Sequence, residues 1–226
     1  MTSPIITIDG PSGSGKGTIS RLVADRLGWR LLDSGALYRL VAYAGQQRSL
    51  AAYDEAGHAD IAQNLDVQFG LGPHGGEQIW LAGAEVSRAI RTEQAGEGAS
   101  RVAAMPAVRA VLLDRQRAFA GPPGLVADGR DMGTVIFPTA ALKIFLTASA
   151  EERARRRYNQ LKDKGLGANL AALSLEIAER DRRDATRAVA PLRPADDAVI
   201  VDSTAMTIDA VVARVLELAA TRVHAG

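Results

Sequence analysis

The run Gly10-Pro11-Ser12-Gly13-Ser14-Gly15-Lys16-Gly17-Thr18 has the residue types and spacing of a loop that cradles phosphate. Closely spaced glycines let successive backbone N–H groups turn toward one anion, and the start of a following helix adds positive partial charge. Lys16 is placed to reach the β- and γ-phosphates of a nucleotide, and the Thr18 hydroxyl to ligate Mg²⁺. In the spelling G-x-x-x-x-G-K-[ST] the hydroxyl residue follows the lysine directly, whereas here Gly17 stands between them. Further along are three more groups of residues able to handle charge. Asp128, Arg130 and Asp131 stand together, Asp184 and Arg187 form a second set, and Arg153, Arg155, Arg156, Arg157, Lys162 and Lys164 crowd one stretch with a single acid, Asp163. The three histidines, His58, His74 and His224, are scattered and lack metal-ligand spacing.

Such a loop works only between a strand and a helix. Residues 5–8 (IITI) read as a short buried strand, and Ile19, Leu22, Val23 and Leu27 fall at helical spacing after the loop. Four more apolar runs, at 30–32, 125–127, 143–146 and 199–201, also read as buried strands, and the five runs often end in Asp: Asp9, Asp33, Asp128, Asp202. Helix-period stretches lie among them, with Val108, Val111, Leu112 and Phe119 in one and Ile208, Val211, Val212, Val215 and Leu218 in another. Strand–helix alternation predicts an α/β fold with a parallel sheet and ligands at the strand C-terminal ends. Residues 65–86 break the rhythm: short extended runs at 67–69 and 78–81, separated by Gly and Pro, predict a small antiparallel meander. The expected division is a core of 1–59 and 95–226 with a module of 60–94 inserted in it.

Composition limits what the loop can serve. The 226 residues are 47% apolar and 23% charged, as in ordinary globular chains, and this excludes disorder, collagen and coiled coil. No apolar run approaches the ~18 residues of a membrane span, the amino terminus has no signal-peptide pattern, and there are no cysteines, so the expected location is cytoplasmic. A net charge of +1 and 4% aromatics argue against nucleic acid as a partner. The 23 arginines against 4 lysines suit bidentate phosphate recognition, and equally reflect GC-rich coding. A switch GTPase would need N-K-x-D to read guanine, and the chain has none. Phosphoryl transfer to a small acceptor is the remaining class.

The GxxGxGKGT spelling resembles the loop of nucleoside monophosphate kinases, and LLDSGALYR at 31–39 resembles the signature of bacterial cytidylate (CMP) kinases. IRT at 90–92, VADGRDMGTV at 126–135, RDRRD at 180–184 and RAVAPL at 187–192 extend the likeness over most of the chain. The resemblance implies a three-layer P-loop kinase fold: a five-stranded parallel sheet, a small antiparallel inserted module and a helical lid at about 150–166. It implies transfer from ATP to CMP or dCMP with Mg²⁺, by a monomer in the cytoplasm.

The family's site residues fall on Ser34, Arg39, Ser100 and Arg109 for the acceptor, Arg109 as a phosphate clamp. They fall also on Arg130, Asp131, Asp184 and Arg187, the last two reading cytosine and ribose. Lys16, Arg130, Arg153, Arg157 and Arg180 are the expected catalytic charges, with Thr18 on the metal and Asp128 behind it in a second shell. The chemistry agrees: an Arg clamps a phosphate bidentately, and an Asp with an Arg can read an amine and a carbonyl together. From the residues alone, Arg109 reads as a solvated helix face; a structural ion pair is the alternative for Arg130 and Asp131, and a solvated helix face is the alternative to a lid for the basic stretch. Two other functions stay open at this point, a kinase for another small acceptor and a non-catalytic ATP-binding switch.

Overall fold

The structure, a computed structural model, describes residues 3–71, 77–163, 167 and 169–223. Lys164, His74 and His224 lie outside the described residues. The chain packs as two compact units, one of Met1–Asp33 with Gln116–Gly226 and one of Ser34–Arg115.

The first unit is built on a parallel sheet of β1 (Ile5–Asp9), β2 (Arg30–Asp33), β6 (Leu125–Gly129), β7 (Leu142–Thr147) and β8 (Val199–Asp202), in the order β2-β6-β1-β7-β8. All five strands coincide with the apolar runs read from the sequence. Their branched residues suit a pleated layer buried on both faces. The pleat divides β1. Ile6 and Ile8 join an apolar layer with Ile19 and Val23 of α1 (Lys16–Leu27) and Val211, Val212 and Val215 of α8 (Ile208–Arg222). Each such side chain taken from water contributes about 1.5–3 kcal/mol. Thr7 and Asp9 point to the other face, where a π-helical turn, Met132–Ile136, lies against the strand. Two further helices, α6 (Ala150–Asp163) and α7 (Leu170–Thr186), pack on each other and carry the basic stretch.

The second unit holds α2 (Ser34–Gln47), α3 (Glu55–Gln63), the antiparallel strands β3 (Val67–Leu71), β4 (Glu77–Leu81) and β5 (Ala84–Glu85), α4 (Glu93–Val102), and α5 (Pro106–Arg117) as far as Arg115. The sequence placed a module at 60–94; compact packing draws this unit at Ser34–Arg115. The reason is that α2 packs on both α3 and α4, with Gly98 of α4 so close to Ala42 that a Cβ there would sit 3.1 Å away. The meander has a third strand, β5, of two residues, closed by Val86 N–H donating to the Ile79 carbonyl (2.9 Å). α5 ends at Arg117, so Phe119, placed by its spacing on the helical face, lies past the last turn.

Candidate active site

The phosphate loop leaves β1 at Gly10. A Cβ on Gly10 would come within 2.0 Å of the Leu146 carbonyl oxygen, so only glycine fits beside β7. At the other end Gly15 caps α1 in the left-handed conformation (φ 89°) with no side chain on the first amides. A helix start without a side-chain cap suits an anion, whose charge the amide dipoles favour. Lys16 donates from Nζ to the Pro11 carbonyl (3.3 Å), lying back along its own loop.

Two arginines of α6 hold the outside of this loop. Arg153, which sequence reasoning put at the transferring phosphoryl group, is buried and donates to the carbonyls of Ser12 (3.0 Å) and Ala148 (3.1 Å), with Asp181 of α7 at 2.6 Å. Arg156 donates to the Ser14 carbonyl (3.1 Å), to the Ser203 hydroxyl (3.1 Å) and carbonyl (2.6 Å), and to Glu152 (2.9 Å). Burial acts to raise the Glu152 carboxyl, but the hydrogen bonds from Arg156 and Arg155 outweigh it and hold it low. Arg157 donates to Gln160 (2.5 Å) one turn along.

The C-terminal ends of β1 and β6 carry a lattice of buried charge. Asp184, only 5% exposed, accepts from Arg130 Nε at 3.0 Å, and Asp131 lies 3.4 Å from Arg187. Arg187 also donates to the Ala190 carbonyl. Burial acts to raise the Asp184 carboxyl, yet the Arg130, Arg180 and Arg187 charges prevail and hold it below the usual carboxylate range. One planar acceptor set by several guanidiniums can address the polar edge of a base together with hydroxyls. Thus Arg130, Asp131, Arg180, Asp184 and Arg187, 57 positions apart from first to last, come together in one unit.

Ser34, Arg39, Ser100 and Arg109 all belong to the second unit. Ser34 opens α2 and is buried, Ser100 is buried on α4, and Arg39 is half-buried one turn along α2. Arg109 is 6% exposed, against the solvated-face reading of a helical arginine. Its guanidinium sits 5.8 Å from the Tyr38 ring and donates to the Ala103 carbonyl (3.3 Å). A guanidinium held over an aromatic face is weakly solvated and fixed in direction, as an anion clamp needs. His58 is buried on α3 with Nδ1 2.6 Å from the Asp54 carbonyl.

Asp128, at the end of β6, fits a divalent cation. A Cβ on Gly17 would sit 3.2 Å from Asp128 Oδ2, so this carboxylate faces the first turn of α1, where the Thr18 side chain is exposed. A hydroxyl and a carboxylate are hard oxygen donors. Mg²⁺ commonly takes one or two of these, keeping its other positions for water and substrate phosphate. Among the described residues there is no group of three or more His, Asp or Glu side chains able to hold a metal by themselves.

Sequence reasoning passed over Asp9, Glu152, Asp181 and Ser203, and saw Arg156 only as part of a basic run. The partners of Arg153 and Arg156 are largely backbone carbonyls, which leave no mark on residue type. For Asp9 the signal was an acid closing a buried strand just before the loop.

A family model described as cytidylate kinase matches residues 6–221. The cytidylate kinase of Stutzerimonas stutzeri is 59% identical over 224 residues, covering 99% of this chain and 98% of its own. That of Pseudomonas aeruginosa (strain LESB58) is 62% identical over 215 residues, covering 94% and 93%. Among solved structures, a gluconokinase from Sinorhizobium meliloti aligns over 99% of this chain and 95% of its own, at 15% identity and a TM-score of 0.49.

Proposed function

The chain belongs to the cytidylate kinase family, and from that membership we propose that it transfers the γ-phosphoryl group of ATP to CMP or dCMP in the presence of Mg²⁺. It is a nucleoside monophosphate kinase, a phosphotransferase with ATP as co-substrate. A phosphate oxygen of the acceptor attacks the γ-phosphorus, the bond to the β-phosphate oxygen breaks, and ADP leaves with CDP or dCDP formed. No covalent enzyme intermediate is required.

The loop Gly10 to Thr18, through its backbone N–H groups (Pro11 has none), and the Lys16 ammonium bind the ATP phosphates. Thr18 would hold Mg²⁺, with Asp128 behind it through water, and the ion supplies charge neutralisation at the phosphate oxygens. Lys16 exchanges its contact with the Pro11 carbonyl for phosphate oxygens. Arg157 and Arg180 neutralise charge on the transferring group, and Arg153 serves it through the loop carbonyl that it holds. Arg39 and Arg109 clamp the acceptor phosphate, with Ser34 and Ser100 as hydrogen-bonding partners. Asp184, Arg187, Arg130 and Asp131 read cytosine and ribose. Closure of the lid, at about 150–166, excludes water and so limits wasteful ATP hydrolysis. The reading includes a cytoplasmic monomer, supported by the family resemblance and by a chain without cysteine. Among the described residues no helix is long and apolar enough to cross a membrane.

The observation that carries the acceptor assignment is Asp184, buried and held ionised by three arginines in the unit that bears the phosphate loop. A coupled ADP-release assay with Mg-ATP and CMP, dCMP, UMP, AMP, GMP or no acceptor tests it. Turnover with CMP and dCMP alone is expected. Turnover with a purine nucleotide instead would overturn the base-reading assignment, and binding of ATP with no acceptor-dependent turnover would favour the switch.

A further inference from the structure

Asp9 closes β1 and is 5% exposed. Its side chain leaves the strand on the face away from Ile6 and Ile8 and meets two backbone amides. Oδ1 accepts from Met132 N–H at 2.9 Å and Oδ2 from Gly133 N–H at 2.8 Å. These amides open the π-helical turn that follows directly on Arg130 and Asp131. Within the turn, Val135 and Ile136 N–H donate to the Asp131 carbonyl (2.9 and 3.2 Å) and Phe137 N–H to that of Met132 (2.7 Å).

The far end is tied separately. Arg117 donates to the carbonyls of Ile136 (3.1 Å) and Val135 (3.3 Å). The turn lies so close to the sheet that a Cβ on Gly133 would be 2.8 Å from Thr7 Oγ1. A segment wound as a π-turn is uncommon and needs outside support to keep its register. Here the support at the end next to Arg130 and Asp131 is one carboxylate with both oxygens engaged.

We propose that Asp9 is a positioning residue for the acceptor: by holding the Met132 and Gly133 amides, its carboxylate fixes the backbone from which Arg130 and Asp131 project. The proposal rests on the reading of Arg130 and Asp131 as acceptor residues. It makes Asp9 the joint between the two halves of the chemistry, since the next residue, Gly10, begins the ATP loop. The electrostatics show how demanding the arrangement is. Burial, opposed by the Gly133 and Met132 amides and aided by the Asp131 and Asp128 charges, leaves the Asp9 carboxyl pushed up to about 7. A carboxylate crowded by two others in a dry site is a weak choice for stability and a strong one for orienting two amides.

The test measures KM for CMP and for ATP at pH 8 in Asp9→Asn, Asp131→Asn and the double variant. Asp9→Asn keeps the side-chain volume but can accept from only one of the two amides. Losing one charge-assisted hydrogen bond is expected to raise KM for CMP about tenfold and leave KM for ATP within about twofold. If Asp9 acts through the turn, the double variant is within about twofold of Asp131→Asn rather than the product of the two single effects. Equal rises in both KM values, no rise in either, or fully multiplicative effects would overturn the proposal. An Asp131→Asn variant with normal KM for CMP would instead remove the acceptor reading, and the proposal with it. Asp9→Glu, which keeps the charge and displaces both oxygens by one methylene, is expected to show the same split toward CMP. Failure of both Asp9 variants to fold, judged by circular dichroism, would reduce Asp9 to a structural brace and overturn the proposal.

Discussion

Replacing Asp184 by alanine removes the acceptor from the middle of the arginine lattice, and two consequences of different size follow. Arg130 loses its 3.0 Å partner, while Arg180 and Arg187 lose the charge that offsets their mutual repulsion. Deleting one partner of a buried pair costs about 3–5 kcal/mol when the survivor stays dry. The Arg130 side chain is 17% exposed, so water relieves part of this, and a loss of about 2–3 kcal/mol is expected. Urea unfolding reads that loss directly. Its pH dependence carries a sign. The Asp184 carboxyl is held below its ordinary 3.8 in the folded chain, so its contribution is full above pH 3.8 and fades as pH falls through the lower folded value. The gap between wild type and variant should therefore close in acid. In catalysis, losing a charged acceptor for the base costs about 1.5–3 kcal/mol of binding, or roughly 10- to 100-fold in KM for CMP, with KM for ATP little changed. Asp184→Asn, which keeps one oxygen acceptor, should fall between. Equal rises in both KM values, or a variant as stable as wild type at pH 7, would refute the reasoning.

Gly10→Ala should weaken ATP binding roughly 5- to 150-fold in isothermal titration, because overpacking of about 1–3 kcal/mol falls on a contact between two backbones, Gly10 and Leu146. Lys16→Ala should lower kcat about 10²- to 10³-fold with an unchanged circular dichroism spectrum; near-normal turnover would remove its role at the phosphates. The raised Asp9 carboxyl gives a stability slope of its own. Between pH 3.8 and about 7 the native chain keeps a proton that the unfolded chain has released, so this contribution is full below 3.8 and is lost as pH rises through 7. Chemical denaturation of Asp9→Asn across pH 4 to 8 should lack that slope. Saturating CMP should raise the melting temperature, as any ligand of the native state does, and an unchanged curve would contradict a CMP site.

What the sequence shows plainly is whatever residue type alone encodes. The five strands of the parallel sheet are short branched runs, and the loop between Gly10 and Thr18 can be read because its glycines, lysine and hydroxyl each answer a requirement of phosphate. α8 is visible through Val211, Val212 and Val215 on one stripe, all buried. The compact unit of Ser34–Arg115 is much less visible. α4 is EQAGEGASRV, a helix of small and charged residues that packs on α2 through the close approach of Gly98 to Ala42 rather than through a run of large apolar side chains. Nor does anything in the letters RDMGTVI indicate a π-turn, which depends on Asp9 more than a hundred residues away. Arg153 and Arg156 show the same limit. A basic stretch advertises charge, but not that two of its members are directed to the carbonyls of Ser12 and Ser14. Arg109 errs in the other direction: its place on a helix suggests solvent, while tertiary packing sets it over Tyr38.

Direct transfer to the cytidine nucleotide is the central claim, and following the phosphoryl group tests it most closely. ATP labelled in the γ-phosphate is incubated with the enzyme, Mg²⁺ and CMP, and the products are separated. The account predicts one labelled CDP for each ADP formed, with little label in inorganic phosphate. ADP that appears without labelled CDP, or label released mainly as inorganic phosphate while CMP is unchanged, would contradict it.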